Sequence, residues 1–370
     1  MHSIFSDLNY IQQLALTHFQ LTCTAKLLPG EVDLNYYLKT TDDQQFLLKI
    51  APPNTPNAQQ NIEFEQAILA HLNAKELPFQ TPHSILSKNN EKYIFLKENN
   101  SYLRLQTWVA GRMLDTANPR TNNLLKNWGE TCGYLSHALQ DFDHPAAHRS
   151  YKWNPSETLQ MRQYAPYFKT ETERKIADHF WNLFAATDLS GLRKSVNYND
   201  AHEHNLLINK ELINPKISGV IDFGDALYTE TINELAIACA YAGMKMRDPL
   251  AAMQQVVQGY HSIFLIEEKE LAVLFPLIGA RLMITAANAA YQQHQNPENE
   301  YLQISAQPAW NLLQQLHQLH PDFVHYSFRE VCGFEPCAQR AVFDNFIKES
   351  TTEWYPLVDF KNQQTLPLDL

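Results

Sequence analysis

From Leu27 to about Val109, short apolar runs alternate with turn signals. LNYYLKT and QFLLKI flank the polar TTDDQ, which predicts two strands and a tight reversal. A Pro- and Asn-rich break, APPNTPNAQQN, gives way to NIEFEQAILAHLNA. There Ile62, Ile68, Leu69 and Leu72 return at helical spacing. KYIFLKE and YLRLQTWV read as two more strands around ENNS. Four or five strands with one helix predict a small antiparallel-sheet lobe over residues 1–108.

After Gly111 the period changes. NNLLKNWGETCGYLSHALQDF and TETERKIADHFWNLFAAT are long amphipathic helices. A β interruption follows: LLI and KISGVID, joined by the polar NKELINP, predict a hairpin. Helices resume through NELAIACAYAGMKM, PLAAMQQVVQGYHSIFLI and ELAVLFPLIGARLMITAANAAYQQ. The region 109–370 is therefore read as a larger, mainly helical lobe. No internal repeat or low-complexity tract interrupts it. The whole is an α+β chain of two lobes.

Composition narrows the function. Hydrophobic residues make up 45% and charged ones 19% of the 370 residues, ordinary globular usage. Lys plus Arg is 29 and Asp plus Glu 40, a net charge of −11. Sequence-independent nucleic-acid binding needs clustered cations, so no nucleic-acid partner is expected. A cationic small molecule would be attracted. The N-terminus lacks a basic stretch followed by an apolar one, so no secretory signal is read. No uninterrupted apolar run reaches about 18 residues, so no membrane helix is expected. Five scattered cysteines (Cys23, Cys132, Cys239, Cys332, Cys337) suit a reducing cytoplasm. CGFEPC has the wrong spacing for a zinc knuckle.

The hairpin carries the chemistry. Asp200 and Asn205 stand five apart in NDAHEHN, ahead of the first β run, and Asp222 follows the second in VIDFGD. A loop entering a hairpin can hold a base and an amide at one end, and the return strand brings a carboxylate back to them. Phosphoryl transfer needs such a set: a base for the acceptor hydroxyl, and hard oxygens for magnesium. Upstream, Lys49 ends a predicted strand and can pair with nucleotide phosphates if a helix carboxylate holds it. Glu65 shares the apolar face of Ile68, Leu69 and Leu72 and is preferred; Glu63, two residues earlier, is the alternative. Alone, each is a common turn, cap or solvated residue. Their order, each on the predicted element, lifts the reading above coincidence.

These residues resemble the aminoglycoside phosphotransferase and choline kinase superfamily, with its signature H-G-D-x-H-x-x-N followed by I-D-F/W-G/E-D. Here it reads Tyr198-Asn199-Asp200-Ala201-His202-Glu203-His204-Asn205, then Ile221-Asp222-Phe223-Gly224-Asp225. The resemblance implies a bilobal protein-kinase-like fold, Asp200 as catalytic base and Asn205 and Asp222 as Mg2+ ligands. ATP or GTP is the implied phosphoryl donor. His202 and the lack of an APE segment separate it from protein kinases. Tyr198 departs from the signature His, which supports the loop, and Asn199 from the Gly.

FDHPAAHR, NDAHEHNLLI, GVIDFGDALY, ELAIACAY, PLIGARL and PENEYLQISAQPAW resemble hydroxylysine kinases most. They also resemble the phosphotransferase module fused to class III, PLP-dependent aminotransferases. The expected function is a cytoplasmic small-molecule kinase for an amino alcohol or hydroxy amino acid, with 5-hydroxylysine favoured. The alternative is a nucleotide-binding pseudokinase module that regulates a fused or partner aminotransferase. The chain is read as a free-standing kinase or one excised module.

Other site residues follow from the resemblance and the strand count. The turn from Gly30 to Asn35 would cover the phosphates, although one glycine leaves few free amides. Gln106, Thr107 and Val109 would offer backbone groups to the purine, with Gly111 as hinge. For the acceptor, Asp225, Arg281 and His202 are candidates, and Arg149, Tyr151 and Trp153 could border the pocket. A mid-helix Arg281 must be paired, to a substrate carboxylate or to an internal acid, and the internal acid is favoured.

Overall fold

The computed structural model describes residues 4–30, 32–53, 55–296, 306–337 and 339–354. The first lobe opens with helix α1 (Leu8–Phe19), capped by the Asp7 carboxylate, which accepts from the Asn9 amide at 2.9 Å. Then come strands β1 (Cys23–Leu28), β2 (Leu34–Thr40) and β3 (Gln45–Ala51) and helix α2 (Ala58–Asn73). Strands β4 (Ser84–Ile85), β5 (Ile94–Leu96) and β6 (Ser101–Thr107) complete an antiparallel six-stranded sheet, ordered β1-β2-β3-β6-β4 with β5 also on β6. Its core gathers Ile11 and Leu14 of α1 with Tyr36, Leu38, Leu48, Ile50, Leu103 and Leu105. The sheet has one more strand than the pattern predicted, and the first begins at Cys23 rather than near Leu27. β1 is an edge strand, half-buried at best, so its apolar alternation is weak.

A linker leads to β7 (Arg112–Met113), α3 (Asn122–Leu139), a 3-10 segment over Pro155–Tyr167 and α4 (Glu171–Ala185). Strand β8 (Lys194–Asn197) pairs with β11 (Leu227–Glu230); between them lies the hairpin of β9 (Leu206–Ile208) and β10 (Ile217–Val220). β7 adds to β9, so the linker is anchored on the hairpin. Gly111 makes this approach possible: its φ is +155°, and a Cβ there would lie 2.8 Å from the Leu207 Cβ.

Helices α5 (Asn233–Gly243), α6 (Pro249–Ile263), α7 (Glu268–Gln295), α8 (Ala306–Leu316), α9 (Pro321–Val331) and α10 (Arg340–Trp354) follow. Helices α3 and α6 cross closely at Gly129 and Gly259. By length and composition α7 is apolar enough to span a membrane, but 94% of its apolar window is buried inside the protein. It is the central helix of the large-lobe core and packs against Phe180 of α4 at Gly279. All five cysteines are free thiols. The PENEYLQIS part of the motif noted above, residues 297–305, lies outside the described residues, as does Glu31 in the turn after Gly30.

Candidate active site

The hairpin brings its two ends together. The Ile221 amide donates to the Asn205 carbonyl at 3.0 Å, which sets Asp222 beside the loop that carries Asp200. Asn205 Nδ2 donates to Asp200 Oδ2 at 2.7 Å. The loop is held from beneath. Trp128 Nε1 donates to the Ala201 carbonyl at 3.2 Å, and the Asn199 amide to Glu234 Oε2 at 2.8 Å. Tyr198, fully buried, donates its hydroxyl to the Ile221 carbonyl at 2.6 Å. The tyrosine thus ties the Asp200 loop to the strand before Asp222, a bracing role like the one the resemblance gives to the signature His. Asn199 has φ +66° and Asp222 φ +61°, left-handed conformations that Asn and Asp tolerate better than most residues.

Asp200 is engaged on both oxygens. Arg281 on α7 contacts Oδ1 at 3.0 Å, and His202 Nε2 lies 3.3 Å from Oδ2. Burial pushes the Asp200 carboxyl up, but His202, Arg281 and the Asn205 amide outweigh it and hold it below its ordinary value. Burial lowers His202, and the Asp200 carboxylate more than reverses that. Arg281 is buried. It also donates to the Trp153 carbonyl at 2.8 Å and the Tyr241 hydroxyl at 3.3 Å, between the two rings. The internal acid it pairs with is Asp200.

In the small lobe, Lys49 Nζ lies 3.4 Å from Glu65 Oε1 and 3.3 Å from Asp222 Oδ1. Glu65 also receives Arg104 at 2.6 Å and Gln106 at 3.2 Å. Glu63 faces the other way and accepts from Tyr93 and Gln59, so Glu65 is the partner of Lys49. Burial alone would lift Glu65; Arg104 and Lys49 hold it down at about 2. Burial depresses Lys49, and Asp222 and Glu65 reverse this, so its ammonium is held above its ordinary value. Arg104 and Asp33, joined at 2.6 Å, belong to this cluster and were not singled out in the sequence. The available signal was Arg104 and Gln106 at i, i+2 within the apolar strand YLRLQTW, two polar side chains on one face.

Two of the residues expected at the purine edge are tied into the small lobe. The Thr107 amide is bonded to the His83 carbonyl at 2.9 Å, and the Gln106 side chain is buried against Glu65. Strand pairing continues through Thr107 with β3 and through Gln106 with β4. Val109 lies beyond this pairing. Gly30 sits tight in the β1–β2 turn, and Asn35 is directly opposite Lys49.

Beyond Asp222, Tyr151 donates to Asp225 Oδ1. Burial, then the neighbouring Asp200 charge, push Asp225 up to about 7 against that bond. Arg149 stacks on Tyr151 and donates to the Gly224 and Ala226 carbonyls and to Asn61 of α2.

Among the described residues no group of three or more His, Cys, Asp or Glu side chains gathers around a cation position. One half-exposed carboxylate, Asp222, and one amide, Asn205, make a donor set for a hard cation held mainly by phosphates and water. That set fits Mg2+.

Comparisons with known proteins agree with this architecture. The sequence model of the phosphotransferase enzyme family matches residues 24–270. Hydroxylysine kinase of Xenopus laevis is 28% identical over 328 residues, covering 81% of this chain and 86% of the relative. Hydroxylysine kinase of Mus musculus is 27% identical over 316 residues, covering 79% and 84%. Among solved structures, an amicoumacin kinase in complex with AMP-PNP, Ca2+ and Ami superposes with a TM-score of 0.63 at 14% identity, covering 85% of this chain and 96% of that one. A microcompartment-associated aminopropanol kinase gives 0.60 at 16% identity, with 88% and 99% covered. The fold is therefore the bilobal, kinase-like one. This chain belongs to the phosphotransferase enzyme family and is a small-molecule kinase, a phosphotransferase acting on a hydroxyl group.

Proposed function

We propose that this protein is a Mg2+-dependent kinase that moves the γ-phosphoryl group of ATP or GTP to the hydroxyl of an amino alcohol or hydroxy amino acid, with 5-hydroxylysine favoured. The observation that carries the reading is the convergence at the hairpin mouth. Lys49 stands between Glu65 and Asp222, while Asp200 stands beside Asn205. The hydroxylysine kinase relatives support the choice of acceptor.

In this reading Asp200 orients the acceptor hydroxyl and takes its proton as the phosphoryl group arrives. Arg281 and His202 keep that carboxylate ionised. Lys49, fixed by Glu65, neutralises phosphate charge, and Asn205 and Asp222 hold the metal. Bound Mg2+ would shield the phosphate oxygens and align the transferring group. Val109 and the hinge border the purine, and Gly30 and Asn35 the phosphates. Asp225, with Tyr151, faces an ammonium group of the acceptor. The lobes divide near residue 108, and the protein acts in the cytoplasm.

Phosphorus NMR tests this with ATP or GTP, magnesium and a panel of 5-hydroxylysine, ethanolamine, choline, homoserine and kanamycin. A new phosphate-ester signal with 5-hydroxylysine is expected. Asp200→Asn should slow its formation by about 10²- to 10⁴-fold. Nucleotide binding without turnover on any acceptor would sink the kinase reading and favour a module that regulates a fused or partner aminotransferase.

A further inference from the structure

We propose that Arg104 is a second phosphate-binding cation of the nucleotide site, and that the Asp33 carboxylate occupies its place until nucleotide arrives. The inference rests on the reading of Lys49 as a phosphate-binding residue and extends it to two residues with no role so far.

Asn35, Lys49 and Arg104 stand in register on β2, β3 and β6, with Asn35 opposite Lys49 and Lys49 opposite Arg104. Directly opposed residues share a face of the sheet. Two buried cations therefore lie side by side, and from the helix they share only Glu65. One carboxylate cannot neutralise two buried cations. Lys49 has a second carboxylate in Asp222 at 3.3 Å, and Arg104 has its own in Asp33, whose Oδ2 is 2.6 Å from Arg104 and 3.9 Å from Lys49.

Asp33 is differently rooted from Glu65. It precedes β2 in the turn after β1, outside the strand pairing, so it can swing out without breaking a ladder bond. Its side chain keeps 18% exposure, against 3% for Glu65. Arg104 is 97% buried, yet its second terminal nitrogen, Nη1, has no hydrogen-bond partner. A buried guanidinium N–H left unmatched is costly, and its fork suits a phosphate bidentately. An anion bonded to both cations would take over the Asp33 contacts. The turn also needs such help: with one glycine it offers few amides to phosphate.

The test is calorimetric binding of AMP-PNP with Mg2+ to the full chain, with no acceptor present. Removing a negative charge from the phosphate position should tighten binding by Asp33→Asn about tenfold, and Arg104→Lys should weaken it about tenfold. Asp33→Ser should follow Asp33→Asn. Thermal melts with and without AMP-PNP check folding, and the ligand-induced stabilisation should be larger in the Asp33 variants. Unchanged or weaker binding by both Asp33 variants would overturn the proposal and make Asp33 a fixed clamp. Unchanged binding by a folded Arg104→Lys variant would remove Arg104 from the site. Lys49→Met separates the underlying reading: if it binds AMP-PNP like the native chain, the nucleotide site itself is misplaced, whatever Asp33 does.

Discussion

Asn199 and Asp222 take left-handed backbone conformations on the two sides of one site. Such conformations cost energy in most residues and persist where surrounding bonds over-determine them. At Asn199 the bond is Glu234, which accepts the Asn199 amide from inside the protein. Burial raises Glu234 from 4.5 to about 7 despite that bond, and the nearby Asp200 charge adds to the rise. The sign follows. An acid whose folded pKa lies above its unfolded one binds more protons when folded. Its contribution to stability therefore falls as pH rises from about 4.5 to 7, the window between the two values. Urea titrations across this window should show that decline in the native chain, and Glu234→Gln should flatten it. A Gln variant with an unaltered pH slope would show that Glu234 is not the group responsible. Glu65 is the opposite case. Held at about 2, it contributes stability above its unfolded value that is lost only as pH falls towards 2.

The Asp200 loop is positioned by elements, and among these the crossing of α3 and α6 is the tightest. A Cβ on Gly259 would lie 1.9 Å from the Lys126 carbonyl oxygen, and one on Gly129 would lie 1.9 Å from that of Val256. Each helix uses a glycine to admit the backbone of the other. In an open helix Gly→Ala gains about 1 kcal/mol. Here the steric term wins, because backbone, not a flexible side chain, stands in the way. Gly259→Ala should destabilise the protein by about 3 kcal/mol, read from its denaturation midpoint. A neutral or stabilising result would mean that the crossing relaxes freely. The consequence reaches the site, since α3 carries Trp128, which bonds the Ala201 carbonyl next to Asp200.

Across the whole molecule, Arg149 joins the lobes. It bonds Asn61 on α2 of the small lobe, and Gly224 and Ala226 in the loop after Asp222. The helix that carries Glu65 and the loop that carries Asp222 are thereby held in one frame. Removing the clamp should leave each lobe folded and misalign the two half-sites. Arg149→Ala should lower kcat about tenfold, a small misplacement being enough for that loss, with a circular dichroism spectrum like the native one. Steady-state kinetics decide it, and an unchanged kcat would rule out the coupling. A second joint, Gln80 bonded to Ser218 and Val220, fixes the loop after α2 to the hairpin.

Much of this was legible in the chain. The hairpin after NDAHEHN, the inward face of α2 with Glu65, Ile68, Leu69 and Leu72, and the helical large lobe all rest on local periodicity and turn chemistry, which a sequence carries directly. The order of Lys49, Glu65, Asp200, Asn205 and Asp222 was legible for the same reason: each falls at a definite point of a periodic element. Helix α1 was not read, and edge strand β1 was read only at its end near Leu27, because their half-exposed faces weaken the pattern. Tertiary structure alone decided partnership. Asp200 and Arg281 are 81 residues apart, and Lys49 and Asp222 are 173 apart. No spacing rule reaches so far. Which acid neutralises a buried cation depends on which chains the fold brings within a few ångströms, and burial then makes that pairing obligatory.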